Sequence, residues 1–159
     1  MKNWILLLII ALGVSSCQKV VFEEPQPRFW PSVPAFPWSI QGSYPLMGEP
    51  GGIVVGKKSI SLKDDKTFVL GENLVLKRYQ GYWIVSLQED SGSWDVYAVK
   101  DKKAIKTIQV QKSELHKINE VVGREVLKYD NAGKPLPLKI RRREFKKLLN
   151  EVFTGIEMN

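Results

Sequence analysis

An unbroken apolar run from Trp4 to Val14, with Lys2 before it and Ser15, Ser16 and Cys17 after it, sets the first limit on this chain. A helix that crosses a bilayer needs roughly 20 apolar residues to span about 30 Å. This run stops near half of that. A positive start, an apolar middle and small residues at the end form the layout of an export signal. Residues 1–16 are therefore expected to be removed and to contribute nothing to the fold. Of 159 residues, removing 16 leaves 143, enough for one domain with a modest core. Cys17 is the single cysteine, so an exported chain has no partner thiol for an internal disulfide and must be held by packing.

The segment Val14-Ser15-Ser16-Cys17 resembles the lipobox of bacterial lipoproteins, an aliphatic residue and two small ones ahead of a cysteine. Ser15 and Ser16 stand where alanine or glycine is commoner. The resemblance covers the first 17 residues and implies cleavage between Ser16 and Cys17, a diacylglyceryl group on the Cys17 sulfur, and acylation of the new amino terminus. One acyl chain holds a protein marginally, whereas two or more, at about 0.8 kcal/mol per buried methylene, hold it stably. In that family an aspartate after the cysteine can retain the protein at the inner membrane. Gln18 stands there instead, which implies the outer membrane.

The chain carries 24 basic and 17 acidic residues, a formal charge of +7, and losing Lys2 with the signal leaves +6. In a cytoplasmic protein that surplus would raise the question of nucleic acid. Export argues against it, and an anionic membrane or glycolipid surface beside the anchor is the nearer polyanion. The partners expected are thus the membrane, through lipid on Cys17, and an envelope protein or glycan.

Between Gln18 and Ser39 the composition shifts. Pro25, Pro27, Pro31, Pro34 and Pro37 are interleaved with Phe29, Trp30, Phe36 and Trp38. Proline at that density favours extended chain, so residues 17–39 are expected to form a lipidated tether ahead of a single domain over 40–159. A flexible stalk would be polar, however. Four large aromatics either lie back on the domain or at the lipid interface, or they present a recognition surface; burial is the favoured reading.

The body alternates β-prone runs with turn signals. Strands are expected at Gly52–Val55, Ser59–Leu62, Thr67–Leu70, Leu74–Tyr79, Tyr82–Leu87, Trp94–Val99 and Ile105–Val110, an antiparallel meander with some strands covered on both faces. The run Gly48-Glu-Pro-Gly-Gly-Ile lacks phosphate-loop spacing and reads as a bend. Ser113 could cap a short helix carrying Leu115, Ile118 and Val122 and stopped by Gly123. Glu125–Tyr129 and Leu136–Ile140 suggest a hairpin around Asp130-Asn131. Phe145, Leu148, Leu149, Val152 and Phe153 form one helical stripe, with Gly155 as its stop. The fold class expected is α+β: an antiparallel sheet of about seven strands, sandwich-like or partly barrelled, with a C-terminal amphipathic helix on it. The segment Trp38-Ser-Ile-Gln-Gly-Ser-Tyr is loosely similar to the first strand of lipocalin-like barrels.

Chemistry-bearing groups are sparse. His116 is the only histidine and stands on the short helix without a visible partner. No Cys/His spacing suits zinc; Asp64-Asp65 and Asp130-Asn131 read as turns and not as calcium loops, and no cofactor is expected. A carboxylate pair could be drawn from Glu89, Asp90 and Asp95. The densest charge is Arg141, Arg142 and Arg143 with Lys146 and Lys147: either a solvated helix face or a contact for anionic headgroups, at about 1 kcal/mol per basic residue. The function expected is a noncatalytic envelope lipoprotein that binds a protein or glycan partner or serves in an assembly. A carrier of a small apolar ligand would need a cavity lined by Trp83, Trp94 and Tyr97, and an envelope hydrolase, or an inhibitor of one, a cleft gathering Glu89, Asp95 and His116.

Overall fold

The computed structural model describes residues 17–46, 49–100 and 105–155; the expected signal at 1–16 lies outside them. Eleven strands, two α-helices and two short 3-10 turns are present among the described residues. β1 (Cys17–Lys19) pairs with β10 (Gln109–Gln111). A four-stranded antiparallel sheet runs β2 (Gly42–Leu46), β3 (Glu49–Val55), β4 (Ser59–Leu62), β5 (Thr67–Val69). A five-stranded sheet has the order β11 (Thr154–Gly155), β9 (Ile105–Thr107), β8 (Trp94–Val99), β7 (Tyr82–Gln88), β6 (Leu74–Tyr79). Helix α1 spans His116–Val122 and helix α2 Arg142–Glu151.

The five-stranded sheet is the middle layer, and side-chain parity along its strands explains why. Leu74, Leu76, Val85 and Val99 point to one face and join Ile60 and Phe68 of the four-stranded sheet, closed by Phe36 and Ile40. Tyr79, Ile84, Trp94, Val96 and Ala98 point to the other face and join Ile118 and Val122 of α1 and Phe145, Leu148 and Leu149 of α2. Alternate residues of one strand thus feed two cores. This accounts for the near-continuous apolar runs of β7 and β8, which a sheet wet on one side would not need.

Mostly antiparallel β structure with a C-terminal helix agrees with expectation, but the strands form three open sheets and not a closed barrel. β4, β6 and β8 keep the expected bounds. The expected strand Ile105–Val110 is broken at Ile108, which is fully buried in the helix-side core while β9 turns to β8 and β10 turns to β1. The glycine-rich run is not a bend: Glu49–Val55 is strand, with a register shift in its pairing to β2 and Gly51 at φ 73. Near Asp130 only the isolated bridge Tyr129–Pro135 forms in place of a hairpin of strands, since Pro135 and Pro137 have no N–H to donate. Ser113 lies in a 3-10 turn and makes no side-chain cap, whereas Gly123 does stop α1, at φ 81, its N–H bonding the Asn119 carbonyl. Helix α2 ends at Glu151, not at Gly155, which pairs in β11 with Lys106.

The proline-rich segment is extended, but it runs along the body and does not lead away from it. Phe22 exchanges backbone hydrogen bonds with Trp94, Leu138 donates to Val21, and Val33 donates to Leu76. Lys77, buried beneath the segment, donates to the carbonyls of Pro27 (2.8 Å) and Pro25 (3.3 Å), and burial lowers its pKa. Of the four aromatics, Phe36 is buried in the sheet–sheet core and Trp30 stacks edge-on against Tyr79. Phe29 and Trp38, 87% and 88% exposed, do not fold back. Trp38 opens a 3-10 turn and does not begin a barrel strand. Among the described residues, no helix is long and apolar enough to cross a membrane.

Candidate functional site

A cleft of about 590 Å³ opens on the helix side, built where three stretches meet. The first is the N-terminal segment at Glu23 and Arg28. The second follows α1, where the Asn119 side-chain oxygen accepts the N–H groups of Val126 (2.8 Å) and Leu127 (3.0 Å) and so fixes the path of Arg124 to Lys128. The third, Leu136 to Arg141, returns from a loop in which Asp130 Oδ1 accepts from the N–H groups of Ala132 and Lys134, and leads into α2. Val126 and Ile140 form a buried apolar floor. Five cations, Arg28, Arg124, Lys128, Lys139 and Arg141, stand around it against two acids, Glu23 and Glu125.

Ion pairing sorts these cations. Arg124 holds Glu144 through Nε–Oε1 (2.6 Å) and a second nitrogen on Oε2 (2.8 Å), while Glu144 also accepts the Arg141 N–H at 2.7 Å. The hydrogen bond from Arg124 holds the Glu144 carboxyl below the usual carboxylate range and raises the Arg124 guanidinium. Arg28 pairs with Glu24 at 2.7 Å and Lys139 with Glu23 at 3.8 Å. Lys128 and Arg141 make no ion pair among the described residues. Because Arg124 is half exposed, its pair is worth little by itself. The cost of Glu144→Ala comes from the helix N-terminus it satisfies: about 1 kcal/mol, read from the urea unfolding midpoint at unchanged slope.

The basic cluster expected from sequence divides. Arg141 lines the cleft; Arg142, Arg143, Lys146 and Lys147 are exposed along α2, with Arg142 over the Trp30 ring at 5.3 Å. Arg28, Arg124, Lys128 and Lys139 went unrecognised in the sequence, where they sit far apart with no shared spacing. The one local signal was Gly123-Arg124, a charge placed just past a helix stop.

Elsewhere the structure gathers Glu89 and Asp95, but around Lys19. Lys19 donates to Glu89 Oε1 at 2.7 Å and pairs with Asp95 Oδ2. Burial pushes the Asp95 carboxyl up to about 6 despite Lys19, and the Lys19 hydrogen bond holds Glu89 low. For Lys19, burial works downward, but its bonds to Asp95 and Glu89 outweigh it and raise the ammonium. Asp90 is exposed and pairs with Lys66 at 3.4 Å. His116 is not brought to this group: its exposed ring meets the Ser113 carbonyl (2.9 Å) and Glu120 (3.9 Å). The three aromatics of the carrier reading are also divided, Trp94 in the helix-side core, Trp83 and Tyr97 against the sheet–sheet core. Asp64-Asp65 is a turn, and no cluster of three or more metal-ligating side chains occurs among the described residues.

No family model, curated protein or solved structure matches this chain.

Proposed function

We propose that this chain is an exported bacterial lipoprotein, cleaved before Cys17, held at the outer membrane by acyl groups on that residue, and noncatalytic. Its body binds a protein or glycan partner of the envelope, or serves in an assembly there. The reading rests on Val14-Ser15-Ser16-Cys17, and one structural observation supports it most directly. Cys17 lies in β1, its register set against Gln111. An acyl group on Cys17 would join the body through a residue paired in β1, with no linker between. The basic cleft and the cationic face of α2 give the body a surface suited to an acidic partner.

Intact-mass measurement with metabolic lipid labelling and membrane fractionation, on the native chain beside Cys17→Ala, tests this. The native chain is expected to lose residues 1–16, gain the mass of its acyl groups and sediment with membranes. Cys17→Ala is expected to carry no label and to keep its signal. A native chain released without lipid would refute the anchor.

A further inference from the structure

We infer that the cleft between Arg28, Lys128, Lys139 and Arg141 takes the phosphate-bearing headgroups of anionic lipids in the membrane that holds the chain. The orientation argued here rests on the lipoprotein reading; the cleft's chemistry does not. Three observations carry it.

The first is charge. The lining has five cations to two acids, and among the described residues Lys128 and Arg141 make no ion pair that a phosphate would have to break. The second is the apolar rim. Phe29, beside the cleft residue Arg28, is 87% exposed, its ring under the Arg28 guanidinium at 4.5 Å, and its backbone is held at φ 56. A bulky side chain at positive φ is strained, and here the strain orders a ring that gains no burial by it. Leu136, 41% exposed, adds an apolar group in the cleft lining itself. Exposed apolar groups interleaved with arginine and lysine suit the headgroup–acyl boundary, where both find partners. A dissolved acidic glycan would leave Phe29 in water. The third is reach. Glu23 follows Cys17 by six residues, and fully extended chain covers about 3.5 Å per residue, so the cleft's edge lies within about 21 Å of the anchor. With Cys17 paired in β1, that distance is set by the body and not by a loose stalk.

The test uses the native chain on phosphatidylcholine vesicles with and without phosphatidylglycerol, reading amide hydrogen exchange in residues 23–30 and 124–141 together with sedimentation. Exchange in both segments is expected to slow only where phosphatidylglycerol is present. Losing a basic contact weakens docking about fivefold, so Lys128→Gln with Lys139→Gln should weaken it about 25-fold. Both side chains are exposed, and an unchanged unfolding midpoint confirms an intact fold. Phe29→Ala should weaken docking while keeping all the charge. Equal exchange on the two vesicle types, or the same slowing with dissolved inorganic phosphate, overturns the proposal. Sedimentation reads the anchor separately: a chain that sediments with both vesicles but gains no protection loses the cleft and keeps the anchor. A chain without lipid that still gains protection on phosphatidylglycerol loses the anchor and keeps the cleft.

Discussion

Phe22→Ala is expected to lower the unfolding free energy by about 3–5 kcal/mol, the range for removing a buried phenylalanine. Phe22 is 0% exposed and sits edge-on to Phe145 with ring centroids 6.2 Å apart. Phe145 in turn packs on Tyr79 and Phe153, so one deletion opens a void beneath α2, β6 and the C-terminal turn together. The paired control is Phe29→Ala. That residue is exposed, so truncating it should change stability by no more than about 0.5 kcal/mol. Urea unfolding of both variants separates two pictures of the N-terminal segment. If Phe22→Ala proves as mild as Phe29→Ala, residues 20–23 are a tether resting on the domain and not a part of its core.

This contrast also marks where the sequence was readable. The strands of the meander were legible because Gly71-Glu72-Asn73, Gln80-Gly81 and Asp90-Ser91-Gly92 leave few other places to turn. The stripe through Phe145, Leu148, Leu149, Val152 and Phe153 predicted the burial seen. β1 was not legible: Cys17-Gln-Lys has no alternation, and its strand character comes from Gln109–Gln111, remote in sequence. β11 was lost for the same reason, as two residues beside β9. The division of the carrier's aromatics could have been foreseen. Trp94 and Tyr97 are three apart on one strand, and a period of two sends them to opposite faces. The cleft could not, because Arg28, Arg124 and Lys139 meet only through tertiary structure.

A second large effect is expected from pH. In the folded chain Asp95 holds its proton up to about 6, because burial disfavours the charge, whereas the unfolded residue releases it near 3.8. Between those values the native state binds a proton that the unfolded state has lost. Stability then falls as pH rises, and it is greatest below the unfolded value. At about 1.4 kcal/mol per pH unit the loss comes to about 2–3 kcal/mol between pH 4 and pH 6. Glu89 acts in the opposite sense, but its depressed pKa confines its effect to the acid side, below about pH 4.5. Lys19 stays charged throughout, and Tyr97, raised by burial, stays neutral. Unfolding midpoints measured from pH 4 to 7 should decline for the native chain, and Asp95→Asn should flatten that decline. A native profile that rises or stays level would mean Lys19 keeps Asp95 ionised in the fold.

Strand edges that meet no neighbour are where sheets from different molecules join, and the middle layer here is guarded at both sides by segments remote from it in sequence. On the β9 side stands β11, the last residues described; on the β6 side, Ser32 bridges to Lys77 and Val33 bonds Leu76. Chain from near both ends of the described body must arrive before the sheet is shielded. Completing the fold is therefore a late, long-range event, slow in the way that high contact order makes folding slow. Until Thr154 and Gly155 have docked, one flank of the sheet stays open to another copy of the chain. A truncation from Thr154 onward would expose that flank to aggregation before it touched either core.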